Sequence, residues 1–268
     1  MTLTVGSLFA GIGGFDLGFE MAGGFEIVWQ CEIDDWCRRV LKKHWPNVRQ
    51  HDDIKTFPTE KHDWSCDIIC GGFPCQDLSY AGRGAGLEGG RSNLWFEMLR
   101  VVRVVRPQFV AVENVPALLG RGMGTVVSGL AEIGYVVEWD CVSASAVGAP
   151  HRRNRIWIVA HADEPNSCNP GTMADTVEPG LEGFAGDGIR GSEPGREPAG
   201  QDRSTAQAGV PAGSDWWAVE PDVGRVANGI PRRVDRLRGL GNAVVPQVVQ
   251  YIATRIRNHH ETTNTSRD

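Results

Sequence analysis

Leu3-Thr4-Val5-Gly6-Ser7-Leu8-Phe9 runs straight into the turn Ala10-Gly11-Ile12-Gly13-Gly14, and Phe15 to Ala22 then places apolar residues at helical spacing. A strand, a glycine turn and a helix in that order commit the start of a chain to a crossover unit. The pattern then repeats. Glu26-Ile27-Val28-Trp29-Gln30 reads as a second strand, and a helix from about Asp34 to His44 stops before Pro46. Asp67-Ile68-Ile69-Cys70 is a short buried strand; Asn93 to about Arg106 is a helix and Phe109 to Val112 a strand. A helix near Gly124 to Ile133 and strands at Tyr135 to Val142 and Arg155 to Ala160 follow, with Pro246 to Arg257 as a closing amphipathic helix. Strands alternating with helices predict an α/β fold with a doubly wound, mainly parallel sheet. Ligands in such sheets lie beyond the carboxyl ends of the strands, where the glycine turn, Glu32, Cys75 and Glu113 all fall.

The 268 residues suit one large domain or a domain with an insert. The net charge of −6 argues against a nucleic-acid partner until its distribution is considered. Between Glu164 and Asp222 eleven acids face three arginines, a local −8 that leaves the remainder at +2. Glycine, proline, serine and acids dominate from Glu164 to about Pro211 without periodicity, so this stretch reads as a loop-rich or disordered insert. The expected organisation is therefore a catalytic and cofactor-binding domain over 1–163, a variable, target-reading region over 164–230, and a segment over 231–268 that completes the first domain. No apolar run is long enough to span a bilayer, and the start lacks a basic segment before its apolar stretch, so a cytoplasmic chain is expected. Seven cysteines without a CxxC pair argue against a disulfide framework and a structural zinc site, and no metal is expected.

Within this frame Gly71-Gly72-Phe73-Pro74-Cys75-Gln76 puts a thiol in a glycine-rich loop after a strand, where backbone N–H groups stabilise a thiolate. A small hydrophobe in a turn is the competing reading of Cys75. Glu32 lies eighteen residues after Gly14, just past the second strand, a position from which a carboxylate accepts hydrogen bonds from ribose hydroxyls. Glu113 follows the apolar run Phe109-Val110-Ala111-Val112, and a carboxyl group in an apolar pocket has a raised pKa; a helix-start acid is the alternative. Arg153 and Arg155 are two apart, which on a strand would point both to one face.

Phe9 to Phe15, Gly72-Phe73-Pro74-Cys75-Gln76, Glu113-Asn114-Val115, the cluster His151-Arg152-Arg153-Asn154-Arg155 and Gly241-Asn242-Ala243-Val244 stand in this order, and together they resemble the C5-cytosine DNA methyltransferase family. The resemblance covers Leu3 to Ala160 and Arg236 to Ile256. It implies S-adenosylmethionine as the cofactor, held by Phe9, Ala10, Gly11, Ile12, Gly13, Gly14, Glu32, Ile33, Asp53, Ile54, Pro74, Asn242 and Val244. It also implies catalysis by Cys75, Glu113, Arg153 and Arg155, with Gln76, Ser79, Asn114 and His151 contacting the substrate. Attack of the Cys75 thiolate at C6 of cytosine would activate C5, with Glu113 as the acid at N3. The chain departs from the family pattern at His151, where glutamine is usual, and lacks a convincing arginine- and threonine-containing motif in Trp216 to Arg238. A neutral imidazole still donates a hydrogen bond, so activity is expected to survive the first departure.

Double-stranded DNA is the expected partner, with a cognate restriction endonuclease as a candidate, and the chain is expected to act as a monomer away from membranes. The compact arrangement looks like that of phage or prophage members. Gln76 to Arg91 is a candidate mobile loop over a flipped base. Two rivals stay open: an RNA cytosine-5 methyltransferase, and a non-catalytic DNA-binding regulatory relative.

Overall fold

The computed structural model describes residues 2–57, 64–74, 94–162 and 233–265. In chain order these hold β1 (Leu3–Leu8), α1 (Gly14–Ala22), β2 (Phe25–Cys31), α2 (Asp35–His44), β3 (Arg49–His51), β4 (Ile68–Gly71), α3 (Leu94–Val105), β5 (Phe109–Asn114), α4 (Leu118–Arg121), α5 (Met123–Glu132), β6 (Tyr135–Val142), β7 (Arg155–Ala162), α6 (Arg233–Asn242) and α7 (Pro246–Thr265). The seven strands form one sheet in the order β3-β2-β1-β4-β5-β7-β6. The pairings of β1 with β2 and β4, of β2 with β3 and of β4 with β5 are parallel, and β7 alone runs against both its neighbours. The strand order reverses outward from β1 and β4, so their carboxyl ends open a crevice. This is the mainly parallel, doubly wound sheet that the alternating pattern predicts.

Alternate residues of each strand feed two cores. On one face Leu8, Trp29, Ile69, Val110, Val112, Ile156 and Ile158 meet Trp95, Met98 and Val102 of α3 and Val126 and Leu130 of α5. On the other, Val5, Ile27, Ile68, Cys70, Ala111 and Trp157 meet Phe15 and Phe19 of α1 and the α7 residues Val248, Val249, Ile252 and Ile256. The last helix of the chain thus lies on the first. At Gly18 of α1 a Cβ atom would stand 2.3 Å from Val249 Cβ and 2.6 Å from Pro246 O, so the two backbones approach as closely as they do because Gly18 has no side chain. Removing each of the four buried aliphatic side chains of α7 from water is worth about 2 kcal/mol, enough to hold a segment that sequence order places far from β1.

The turn after β1 uses backbone that few residues adopt. Gly11 (φ 57°) and Gly13 (φ 89°) lie in the left-handed region, as does Phe9 (φ 52°) between β1 and the first glycine. Asp34 caps α2, its Oδ1 accepting from Trp36 N at 2.9 Å and Cys37 N at 3.0 Å. Asn242 is the last residue of α6, an element that the weakly patterned stretch before it does not signal.

Candidate active site

At the carboxyl ends of β1, β2, β4 and β5 lies a cavity of about 560 Å³, within the range of pockets that hold small-molecule ligands. Its walls come chiefly from six segments distant in sequence: the glycine turn, the end of β2, Asp52 to Lys55 after β3, Gly72 to Pro74, the end of β5, and the end of α6 with the stretch leading to α7, with Arg153 and Arg155 between the last two.

One end is built around Glu32. Its Oε2 accepts from Gly11 N at 2.7 Å and its Oε1 from Asp34 N at 2.8 Å, so the carboxylate is aimed by the two turns it bridges. Phe9, Ala10, Gly14, Ile33, Asp53, Ile54, Asn242 and Val244 line the same space. Ile54 is buried, whereas Ile33 is 71 % exposed at the mouth. Asp53 Oδ1 accepts from Lys55 N at 3.0 Å. Ile12 and Gly13 belong to the turn but not to the cavity wall. The Cβ position of Gly13 backs onto the Trp45 ring, 2.3 Å away, and Ile12 lies under Gly239.

The other end is built around Glu113, which the structure places within β5 and not at the start of a helix. Its Oε1 lies 2.8 Å from Arg155 Nε, in a pair whose side chains are only 12 % and 24 % exposed. Burial pushes the Glu113 carboxyl above its ordinary 4.5, with the charges of Arg155 and Arg153 pulling the other way. Gly72 stands against this carboxylate, and a Cβ there would be 3.0 Å from Oε2. Asn114 is buried; its Nδ2 donates to Phe73 O at 2.9 Å and its Oδ1 accepts from Val115 N at 2.8 Å. The Asn114 amide therefore ties the end of β5 to the loop that leaves β4.

The arginines are arranged differently from a pair on one strand face. Arg155 begins β7, but Arg153 precedes it with φ 32°, in left-handed backbone that breaks the two-residue period. Arg153 Nη2 donates instead to Gly241 O at 3.0 Å, in the last turn of α6, and to Ala243 O at 2.8 Å, just beyond it. Both arginines still line the cavity, while His151, two residues earlier, is exposed and forms none of its wall. Cys75, Gln76 and Ser79, with the candidate loop 76–91 and the region 164–230, lie outside the described residues. Wall residues that sequence reasoning did not single out include Cys37, Asp52, Phe73, Leu94, Asp235 and Gly239. Of these only Phe73 sat inside a recognisable block, and the rest reach the cavity through packing that no local pattern encodes.

A mainly parallel sheet with one reversed strand, a glycine turn bonded to the Glu32 carboxylate, and an acid paired with arginine at the same crevice define a methyltransferase-type α/β domain. Residues 3–181 match the profile of C-5 cytosine-specific DNA methylases, and the chain belongs to that family. Among curated relatives, the Type II methyltransferase M2.BsuMI of Bacillus subtilis is 31 % identical over 259 residues, covering 88 % of this chain and 64 % of the relative. M.NgoFVII of Neisseria gonorrhoeae is 37 % identical over 158 residues, covering 57 % of this chain and 42 % of the relative. The chain thus spans less than two thirds of these relatives. A putative DNA modification methyltransferase encoded within an Escherichia coli prophage matches with a TM-score of 0.51 and 27 % identity, over 60 % of this chain and 47 % of that one. A mutant of Spodoptera frugiperda DNMT2 matches with a TM-score of 0.53 at 20 % identity, over 62 % of this chain and 51 % of that one, which shows a shared fold. No described helix is long and apolar enough to cross a membrane.

Proposed function

We propose that the chain transfers a methyl group from S-adenosylmethionine to C5 of a cytosine displaced from duplex DNA. The observation that carries this reading is a single cavity in which a glycine turn and Glu32 occupy one end and the Glu113–Arg155 pair the other, bordered by Pro74, the residue bonded to Cys75.

The residues present suit such a cofactor. Glu32 presents a fixed carboxylate for ribose hydroxyls, Ile33 and Ile54 offer apolar surface for a flat base, and Glu32, Asp34, Asp52 and Asp53 favour a ligand carrying positive charge. When bound, S-adenosylmethionine supplies an electrophilic methyl group on a sulfonium. Everything else falls to the chain. The Cys75 thiolate adds to C6 and forms a carbon–sulfur bond, and electron density moves through the ring towards N3. Glu113, whose carboxyl burial pushes above its ordinary value, donates a proton at N3, and Arg155 stabilises the charge that develops beside O2. C5 then carries the electron pair that accepts the methyl group. Loss of the C5 proton to water and expulsion of the thiolate restore the aromatic base, and N3 returns its proton to Glu113. Asn114, tied to Phe73 O two residues before Cys75, positions the nucleophile's loop relative to the acid.

The base must leave the stack for this chemistry, because C6 within a duplex is closed to a thiolate held on a loop. The overall charge of −6 makes DNA affinity modest and sensitive to salt. The chain acts as a monomer in the cytoplasm of a prokaryotic cell or a phage-infected host, and a cognate restriction endonuclease is its candidate partner. Incubation with duplex DNA and with transfer RNA, each read by bisulfite sequencing, tests the assignment. Protected cytosines are expected in DNA alone. Protection only in transfer RNA would transfer the mechanism to the RNA rival, and protection in neither would favour a non-catalytic relative.

A further inference from the structure

The stretch from Gly239 to Val244 forms one wall of the cavity, contributing Gly239, Gly241, Asn242, Ala243 and Val244. Packing fixes its two ends. At Gly239 a Cβ would fall 2.7 Å from the Trp36 ring and 3.3 Å from Ile12 Cγ2, and Val244 presses on Gly14, whose Cβ position is 2.7 Å from Val244 Cγ2. Between those ends α6 closes at Asn242, and two carbonyls, that of Gly241 in its last turn and that of Ala243 just beyond it, are gathered by one nitrogen, Arg153 Nη2. Arg153 is half-buried, and its backbone sits in left-handed space that an L side chain adopts only where its surroundings impose it. Two residues later Arg155 holds Glu113. Arg153 thus joins the wall of the Glu32 end of the cavity to the segment that sets the acid at the other end.

We propose that Arg153 is a positioning residue that fixes the Gly239–Val244 wall against the cofactor and couples cofactor occupancy to the placement of the Glu113–Arg155 pair. This rests on the proposed methyl-transfer reading for the identity of the ligand. A guanidinium reaches two carbonyls at a set separation, which an ammonium on a shorter stem does not reproduce. Loss of the link leaves the wall free to move, so the cofactor must order it on binding.

The test compares Arg153→Ala and Arg153→Lys with the wild-type protein. S-adenosylhomocysteine binding is measured by calorimetry without DNA, steady-state kinetics separate KM for the cofactor from kcat, and hydrogen exchange reads the amides of residues 239–244. Both variants are expected to bind S-adenosylhomocysteine about tenfold more weakly and to show a matching rise in KM, within the usual range of coupling between linked sites. At saturating cofactor kcat should fall by less than KM rises, and exchange in 239–244 should quicken. Arg155→Lys, which changes the other end, should lower kcat and leave S-adenosylhomocysteine affinity within about twofold. Wild-type affinity and exchange in both Arg153 variants, with the whole loss in kcat, would overturn the proposal and make Arg153 a base-site residue. If the wild-type protein itself bound no S-adenosylhomocysteine, the functional reading would fall, and exchange at 239–244 would still decide whether Arg153 orders the wall. Should Arg153→Ala fail to fold, Arg153→Lys decides alone.

Discussion

Asp16 offers a stability test that is independent of catalysis. It sits in the first turn of α1, wholly buried beneath the glycine turn, where Oδ1 accepts from Gln30 Nε2 at 2.8 Å and Oδ2 from Ser7 Oγ at 3.3 Å. Burial pushes its carboxyl from 3.8 up to about 6, and the bonds from Gln30 and Ser7 offset that only in part. A carboxyl raised on folding contributes stability that is fully present below its unfolded value, near 4, and is lost as pH rises through about 6. At 1.36 kcal/mol per unit, the ionised carboxylate costs the native state about 3 kcal/mol at neutral pH relative to pH 4. Asp16→Asn keeps the shape and the bond from Gln30 and does not titrate. Urea unfolding of both proteins between pH 4 and pH 8 cancels every other titrating group in the difference. The stability of the variant relative to wild type should climb by about 3 kcal/mol between pH 4 and pH 7. Parallel curves would refute the argument, because they would mean that Asp16 titrates alike in the folded and unfolded chains.

Other consequences concern the cavity. If Glu113 donates a proton at N3, kcat falls as pH rises through its elevated pKa; Arg155→Ala removes the charge that holds this pKa down, so a pH–rate profile should show the alkaline limb displaced upward while the maximum rate drops. Gly14→Ala drives a Cβ against Val244 and should cost about 1–3 kcal/mol in urea unfolding, with a raised KM for the cofactor. Glu32→Ala leaves the N–H groups of Gly11 and Asp34 without their acceptor, and should cost about 1–3 kcal/mol of stability and abolish cofactor binding in calorimetry.

The sheet was legible because its strands are apolar runs broken by glycine, proline or acid, and β1, β2, β4 and β5 lie within a residue or two of where the sequence puts them. β3 is three residues, Arg49–His51, with no apolar pattern, and it exists because it adds parallel to β2 at the sheet edge. The start of α6 falls in a stretch rich in arginine, where no alternation or amphipathic stripe marks it. Glu32 and Glu113 were visible because each follows a strand pattern at a fixed offset, and chain topology alone carries such positions to one end of the sheet. The partners that complete the site were not visible. The bonds from Arg153 to Gly241 and Ala243 join residues about ninety apart, and the positive φ at Arg153 that makes them follows from packing that no local pattern encodes. For the same reason the expectation that Arg153 and Arg155 share a strand face fails: strand geometry begins only at Arg155.

Covalent trapping is the most direct measurement of whether the sulfur of Cys75 bonds to the pyrimidine. Duplex DNA with 5-fluorocytosine at the methylated position blocks removal of the C5 substituent, so the adduct cannot resolve. The wild-type protein with S-adenosylmethionine should give a DNA complex that survives denaturing electrophoresis, and Cys75→Ser should give none while still binding S-adenosylhomocysteine. A complex formed equally well by Cys75→Ser, or wild-type methylation rates in that variant, would contradict the account.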